Sequence, residues 1–175
     1  MAKKMAFSSI LMALAIVCLF GASIVPTARI SMLALTSVFG AITVAEYGPK
    51  YGVIHYMGVS ILSLLLIPKK LLVIIYIAFL GYYPIVKMFI ERLDRRVAEW
   101  LIKIIVFNLF LAIGYIVFKA LFLPSIESAV VMIVLKYLPW VIFASEVVFV
   151  IYDYVLSYII TYYYKTLQIK INGGN

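Results

Sequence analysis

Polar positions in this chain do not alternate with apolar ones; they punctuate them. Long unbroken apolar stretches are separated by short clusters of proline, glycine and charge. A helix needs about 20 apolar residues to cross roughly 30 Å of hydrocarbon, with about 17–25 usual. A segment in lipid must satisfy its own backbone groups, which leaves helices or closed barrels. Continuous rather than alternating apolar runs predict helices. The pattern therefore predicts an all-α integral membrane protein, a six-transmembrane-helix bundle with both termini cytoplasmic. Residues 1–175 read as one domain, with no soluble domain, long linker or internal repeat.

The expected spans are 6–25, 30–45, 51–67, 71–86, 100–122 and 139–163. Lys3 and Lys4 precede the first, and Pro26 ends it. Glu46-Tyr47-Gly48-Pro49-Lys50 stops the second, and Pro68-Lys69-Lys70 stops the third. Gly81, Tyr82, Tyr83 and Pro84 mark a break near the end of the fourth. At 16–17 residues each, spans two to four are short, which suggests thin or partly re-entrant packing. Pro124-Ser125 breaks the chain after the fifth. Residues 129–164 would make a single helix of about 54 Å, too long for one crossing. Pro139 is the natural divider, because proline suits a first helical turn. Residues 126–138 are then expected as a short helix lying at the interface. Lys3-Lys4, an apolar core and Gly21-Ala22-Ser23 also fit a secretory signal peptide. Five further spans behind them favour a first transmembrane helix.

Composition narrows the class. The chain is 67% hydrophobic and 13% charged, against about 45–50% and roughly 25% in soluble domains. So short a chain cannot hide that much apolar surface from water. This excludes a soluble enzyme, a disordered tail and a nucleic-acid-binding domain. The formal charge is +8, and it reads as topology. Cytoplasmic termini put ten cations inside, namely Lys3, Lys4, Lys50, Lys87, Arg92, Arg95, Arg96, Lys103, Lys165 and Lys170, and leave five outside. That bias follows the positive-inside rule, and Trp100, Trp140 and Tyr162 to Tyr164 then fall at the two interfaces. Cys18 is the one cysteine, so there is no intrachain disulfide and no cysteine-based metal site.

Ionisable groups within a bilayer are functional candidates by default. Glu146 lies seven residues into span six, and Asp153 seven further on. Two turns separate them, so the carboxylates share one helix face and should point into the bundle. Each reads as a ligand contact or proton relay, or as a structural carboxylate bonded to a neighbouring helix. His55, the only histidine, reads as a ligand or a satisfied structural group. Asn108 in span five reads as helix glue or a ligand contact. Arg29, in the first outer loop, reads as an attractor for an anionic solute or an orienting charge. Lys103 and Lys119 lie near the ends of span five and can snorkel. Residues 87–99, with Arg92, Arg95 and Arg96, predict an amphipathic helix on the inner surface, a docking surface for partners or a plain solvated loop. Ser9 and Ala13 form a small-xxx-small pair and Gly48 and Gly52 a GxxxG, spacings that let helices approach closely. Zinc-protease, serine-hydrolase and phosphate-loop signatures are lacking. The chain is therefore expected to be no enzyme and to carry no cofactor or metal.

Ser9-Ile-Leu-Met-Ala13 on the first helix, Glu46-Tyr47-Gly48-Pro49-Lys50-Tyr51-Gly52 before the third, and Gly81-Tyr82-Tyr83-Pro84-Ile85-Val86-Lys87 carry a resemblance. In size and span pattern the whole chain resembles the substrate-binding S components of energy-coupling factor (ECF) transporters, small six-helix bacterial membrane proteins. Serine stands here for the first alanine of that family's Ala-x-x-x-Ala pair. The resemblance implies a vitamin-like solute bound near the outer face, under loops around Arg29 and Lys69, with Asn108 and Glu146 orienting it. It also implies a coupling membrane subunit docked at Ser9 and Ala13, and two separate ATPases. The chain is similar as well to MreD-type scaffolds of the cell envelope, which would recruit partners without moving a solute.

Overall fold

A computed structural model describes residues 2–93, 95–122 and 128–168, and every described element is helical. The helices are α1 (Ala2–Ile24), α2 (Arg29–Tyr47), α3 (Pro49–Leu66), α4 (Lys70–Ile75), α5 (Tyr83–Glu91), α6 (Arg96–Phe122) and α7 (Ser128–Tyr162). Wider π-type turns follow α4 over Tyr76–Leu80 and α7 over Tyr163–Gln168. Among the described residues, five stretches are long and apolar enough to cross a membrane: Lys4–Ile24, Arg29–Tyr47, Lys70–Glu91, Arg96–Gly114 and Pro139–Lys165. α3 falls outside that set, because Lys50, His55, Ser60 and Ser63 dilute its apolar character.

The described residues form two compact units. One comprises Met1–Leu93 with Val155–Asn175, the other Asp94–Tyr154. In the first, α1, α2 and α3 pack on one another, and α2 also packs against α5 and the π turn. Lipid is as apolar as leucine, so helices in it associate through close packing and hydrogen bonds rather than by escaping water. The buried faces match that demand. α1 turns Ser8, Leu11, Ala15, Leu19 and Ala22 inward, and α2 buries Thr36, Ser37, Gly40, Ala41 and Thr43. The hydroxyls of Thr36 and Ser60 donate to the carbonyls of Met32 and Tyr56, one turn back, at 2.9 and 2.6 Å, so these buried groups need no water. Large apolar side chains such as Leu65, Leu71 and Ile30 face outward.

Local chemistry sets the helix ends. Gly48 adopts φ 85°, and its N–H closes α2 on the Val44 carbonyl at 2.9 Å. That left-handed conformation suits glycine, and Pro49 opens α3 at once. Gly52 then lies against Val44, and a Cβ there would meet both the Val44 and the Ile85 side chains. The expected break before Pro84 is present. The Gly81 N–H reaches back five residues to the Tyr76 carbonyl at 2.8 Å. The Tyr56 hydroxyl donates to Ile77 within the same turn. A Cβ on Gly81 would meet the Tyr56 ring at 2.6 Å, so glycine is what lets the ring lie there.

Two expectations are corrected. The short helix over 126–138, divided from span six at Pro139, is not formed over its described part; α7 runs unbroken through Pro139. Ending the helix there would leave several backbone groups without partners, whereas proline within it removes one hydrogen bond. The expected break at 124–125 and the start of that short helix lie outside the described residues. The amphipathic helix over 87–99 is not formed either. Lys87 to Glu91 complete α5, and Arg96 to Glu99 begin α6. The helices that hold spans two to four run past those apolar cores, to 19 and 18 residues in α2 and α3 and to 22 over Lys70–Glu91, by adding end residues such as Arg29, Glu46, Lys50 and Glu91.

Candidate functional site

The second unit presents α6 and α7 as an antiparallel pair with three rungs. Lys103 Nζ lies 2.9 Å from Asp153 Oδ2. One turn on, the rings of Phe107 and Phe149 stack at 4.3 Å between centroids and 6° between planes. Beyond them, Asn108 Nδ2 donates to Glu146 Oε1 at 3.2 Å. On α7, spacings of three and four residues keep Glu146, Phe149 and Asp153 on one side, and on α6 Lys103 and Phe107 are four apart, with Asn108 next to Phe107. Glu146 and Asp153 thus share the α7 face that meets α6, as their separation predicts.

The two carboxylates differ in setting. Asp153 is 2% exposed and Lys103 4% exposed. Lys103, expected to snorkel, is instead held inside by this ion pair, and its ammonium lies 5.6 Å from the Trp100 ring centroid. Glu146 is half-buried. It borders a hollow of about 290 Å³ whose other walls include Ile104, Phe107, Phe143, Val147 and Val150. Asn108 uses its amide nitrogen twice, toward Glu146 and toward the Ile104 carbonyl at 3.0 Å. One end of the pair is therefore electrically closed. The other offers a carboxylate with a neutral amide partner beside apolar walls.

Of the remaining candidates, all but Arg95 and Arg96 belong to the first unit. His55 is fully buried, with Nδ1 3.2 Å from Thr43 Oγ1. Thr43 also lies 3.0 Å from the Phe39 carbonyl. Its single hydrogen goes there, which assigns the Nδ1–H of His55 as donor to the hydroxyl. His55 Nε2 lies near Gly40 and has no hydrogen-bond partner among the described residues. Arg29 opens α2, half-buried. Ser9 and Ala13 sit on the exposed side of α1, and Arg92, Arg95 and Arg96 are exposed where α5 gives way to α6.

Sequence reasoning missed Lys87. It is 1% exposed on α5, 2.9 Å from Glu91 and 2.8 Å from the Ser157 hydroxyl. The Lys–Glu spacing of four within an apolar helix was the signal available. The Phe107–Phe149 stack was missed too, although each ring lies one turn from a charged candidate. Among the described residues, no three His, Cys, Asp or Glu side chains gather as a metal site.

No protein-family model matches this chain, and comparison with curated proteins and with solved structures gives no match.

Proposed function

We propose that this chain is the solute-binding membrane subunit of a small-molecule uptake system, spanning a bacterial plasma membrane six times with both termini cytoplasmic. The observation that carries this reading is Glu146, held by Asn108 at the edge of the α6–α7 hollow. A membrane-embedded carboxylate is costly. Nothing in the packing needs it half-exposed, whereas a solute with a polar group would use it. Ser9 and Ala13 are free of the α1 packing face, which suits docking of a coupling subunit, and separate ATPases would supply energy. The subunit itself catalyses nothing. Mass spectrometry of solute released from gently purified protein tests this. A discrete small molecule should be retained by the natural protein and lost from Glu146→Ala and Asn108→Ala.

One observation favours a second reading, a non-transporting envelope scaffold. The interior of the first unit is filled to the point that Gly52 and Gly81 touch neighbouring side chains. On that reading no solute is retained, and neutralising Arg92, Arg95 and Arg96 removes bound partner proteins.

A further inference from the structure

Resting on the solute-binding reading, we infer that the α6–α7 hollow selects an organic monocation: an apolar body carrying one ammonium group, set against Glu146.

Charge bookkeeping along the helix pair points there. Lys103 and Asp153 neutralise each other at 2.9 Å. Asn108, the partner that Glu146 has among the described residues, is neutral. The carboxylate therefore carries the uncompensated charge of the site. An isolated charge at low dielectric is expensive until a counter-charge joins it. A cationic ligand recovers that cost, and an anionic one doubles it.

The walls then choose among cations. Calcium takes six to eight oxygen ligands, and magnesium keeps an octahedral set. Among the described residues lining the hollow, Glu146 is the one polar side chain, and Asn108 bonds to it. A bare metal ion would find too few oxygens. Phe107, Phe143 and Phe149 supply aromatic surface, which attracts ammonium groups and holds their hydrocarbon. A volume of about 290 Å³ sits at the low end of the roughly 300–1,000 Å³ usual for ligand pockets. That suits a body of about one ring. The ion pair two turns along α7 lends selectivity, because Lys103 is already engaged by Asp153.

The test uses the full chain in lipid nanodiscs and calorimetric titration with phenethylamine, cyclohexylamine and tetraethylammonium. Two counterparts of matched shape complete the set, neutral 2-phenylethanol and anionic 3-phenylpropanoate. At least one amine should bind saturably, about tenfold or more tighter than either counterpart. Glu146→Gln keeps an acceptor for Asn108 and should weaken amine binding by about tenfold or more, leaving 2-phenylethanol unaffected. Val147→Trp, which fills the hollow from an exposed position, should abolish binding without touching the carboxylate. Equal affinity for the amines and their counterparts, or amine binding indifferent to Glu146→Gln, overturns the cation assignment. Tight Glu146-dependent binding of the alcohol or the carboxylate overturns it too, but leaves solute binding standing. Failure of every probe, with no solute retained on purification, overturns both.

Discussion

Lys103 and Asp153 form an ion pair buried between α6 and α7, 2.9 Å from nitrogen to oxygen. Removing one partner leaves a buried, uncompensated charge. Lys103→Met or Asp153→Leu alone should therefore cost about 3–5 kcal/mol, and the double variant should recover much of that loss. Thermal unfolding in detergent measures it. A double variant no more stable than either single one would show that the pair is not the reason these groups are tolerated.

Close packing in the first unit makes a graded series. Gly52 lies against Val44, and a Cβ there would also come within 3.2 Å of Ile85. Gly52→Ala should destabilise by about 1–3 kcal/mol through overpacking. Gly58→Ala meets the flexible Met12 side chain and should cost less, and Gly114→Ala, a control in the second unit with nothing within 4 Å among the described residues, should be neutral or slightly stabilising. Melting temperatures in one detergent give the ranking, and Gly114→Ala as the worst of the three would contradict it.

Thr43 accepts from His55 in a fully buried setting. Thr43→Val keeps the shape and strands the Nδ1–H, at an expected cost of about 1–3 kcal/mol. Thr43→Ser should retain most of the stability. Equal losses would assign the effect to packing rather than to the hydrogen bond.

On the proposed topology of six crossings, the α1–α2 and α3–α4 turns would lie on the same side and the α5–α6 link opposite. In a Cys18→Ser background, Thr27→Cys and Lys69→Cys should react with an impermeant maleimide from outside intact cells. Arg95→Cys should react only after permeabilisation. Labelling of Thr27→Cys and Lys69→Cys from opposite sides would mean that α3 does not cross.

Much of the helical order was legible because an apolar run in lipid has few alternatives to a helix. Gly48-Pro49 and Gly81 to Pro84 also announced their breaks, since each carries a backbone conformation or a missing donor with a fixed meaning. Pro139 misled because proline commonly ends a helix, whereas here the helix gives up one hydrogen bond and continues. The stretch 87–99 misled because its charges look solvated when read along the chain. In three dimensions Lys87 turns inward to Ser157, seventy residues away, and no local spacing reports such a partner. For the same reason the face shared by Glu146 and Asp153 could be read from their separation, while the identity of Lys103 and Asn108 as their partners could not. That pairing is what divides a sealed carboxylate from an open one.

The contrast between those two carboxylates can be measured directly. The protein in nanodiscs is treated with dicyclohexylcarbodiimide, an apolar reagent for carboxyl groups in membranes, and the adducts are located by peptide mass spectrometry. The expected adduct is at Glu146, with Asp153 unmodified behind Lys103. Modification of Asp153 with Glu146 spared would contradict the assignment of the α6–α7 hollow as the binding site.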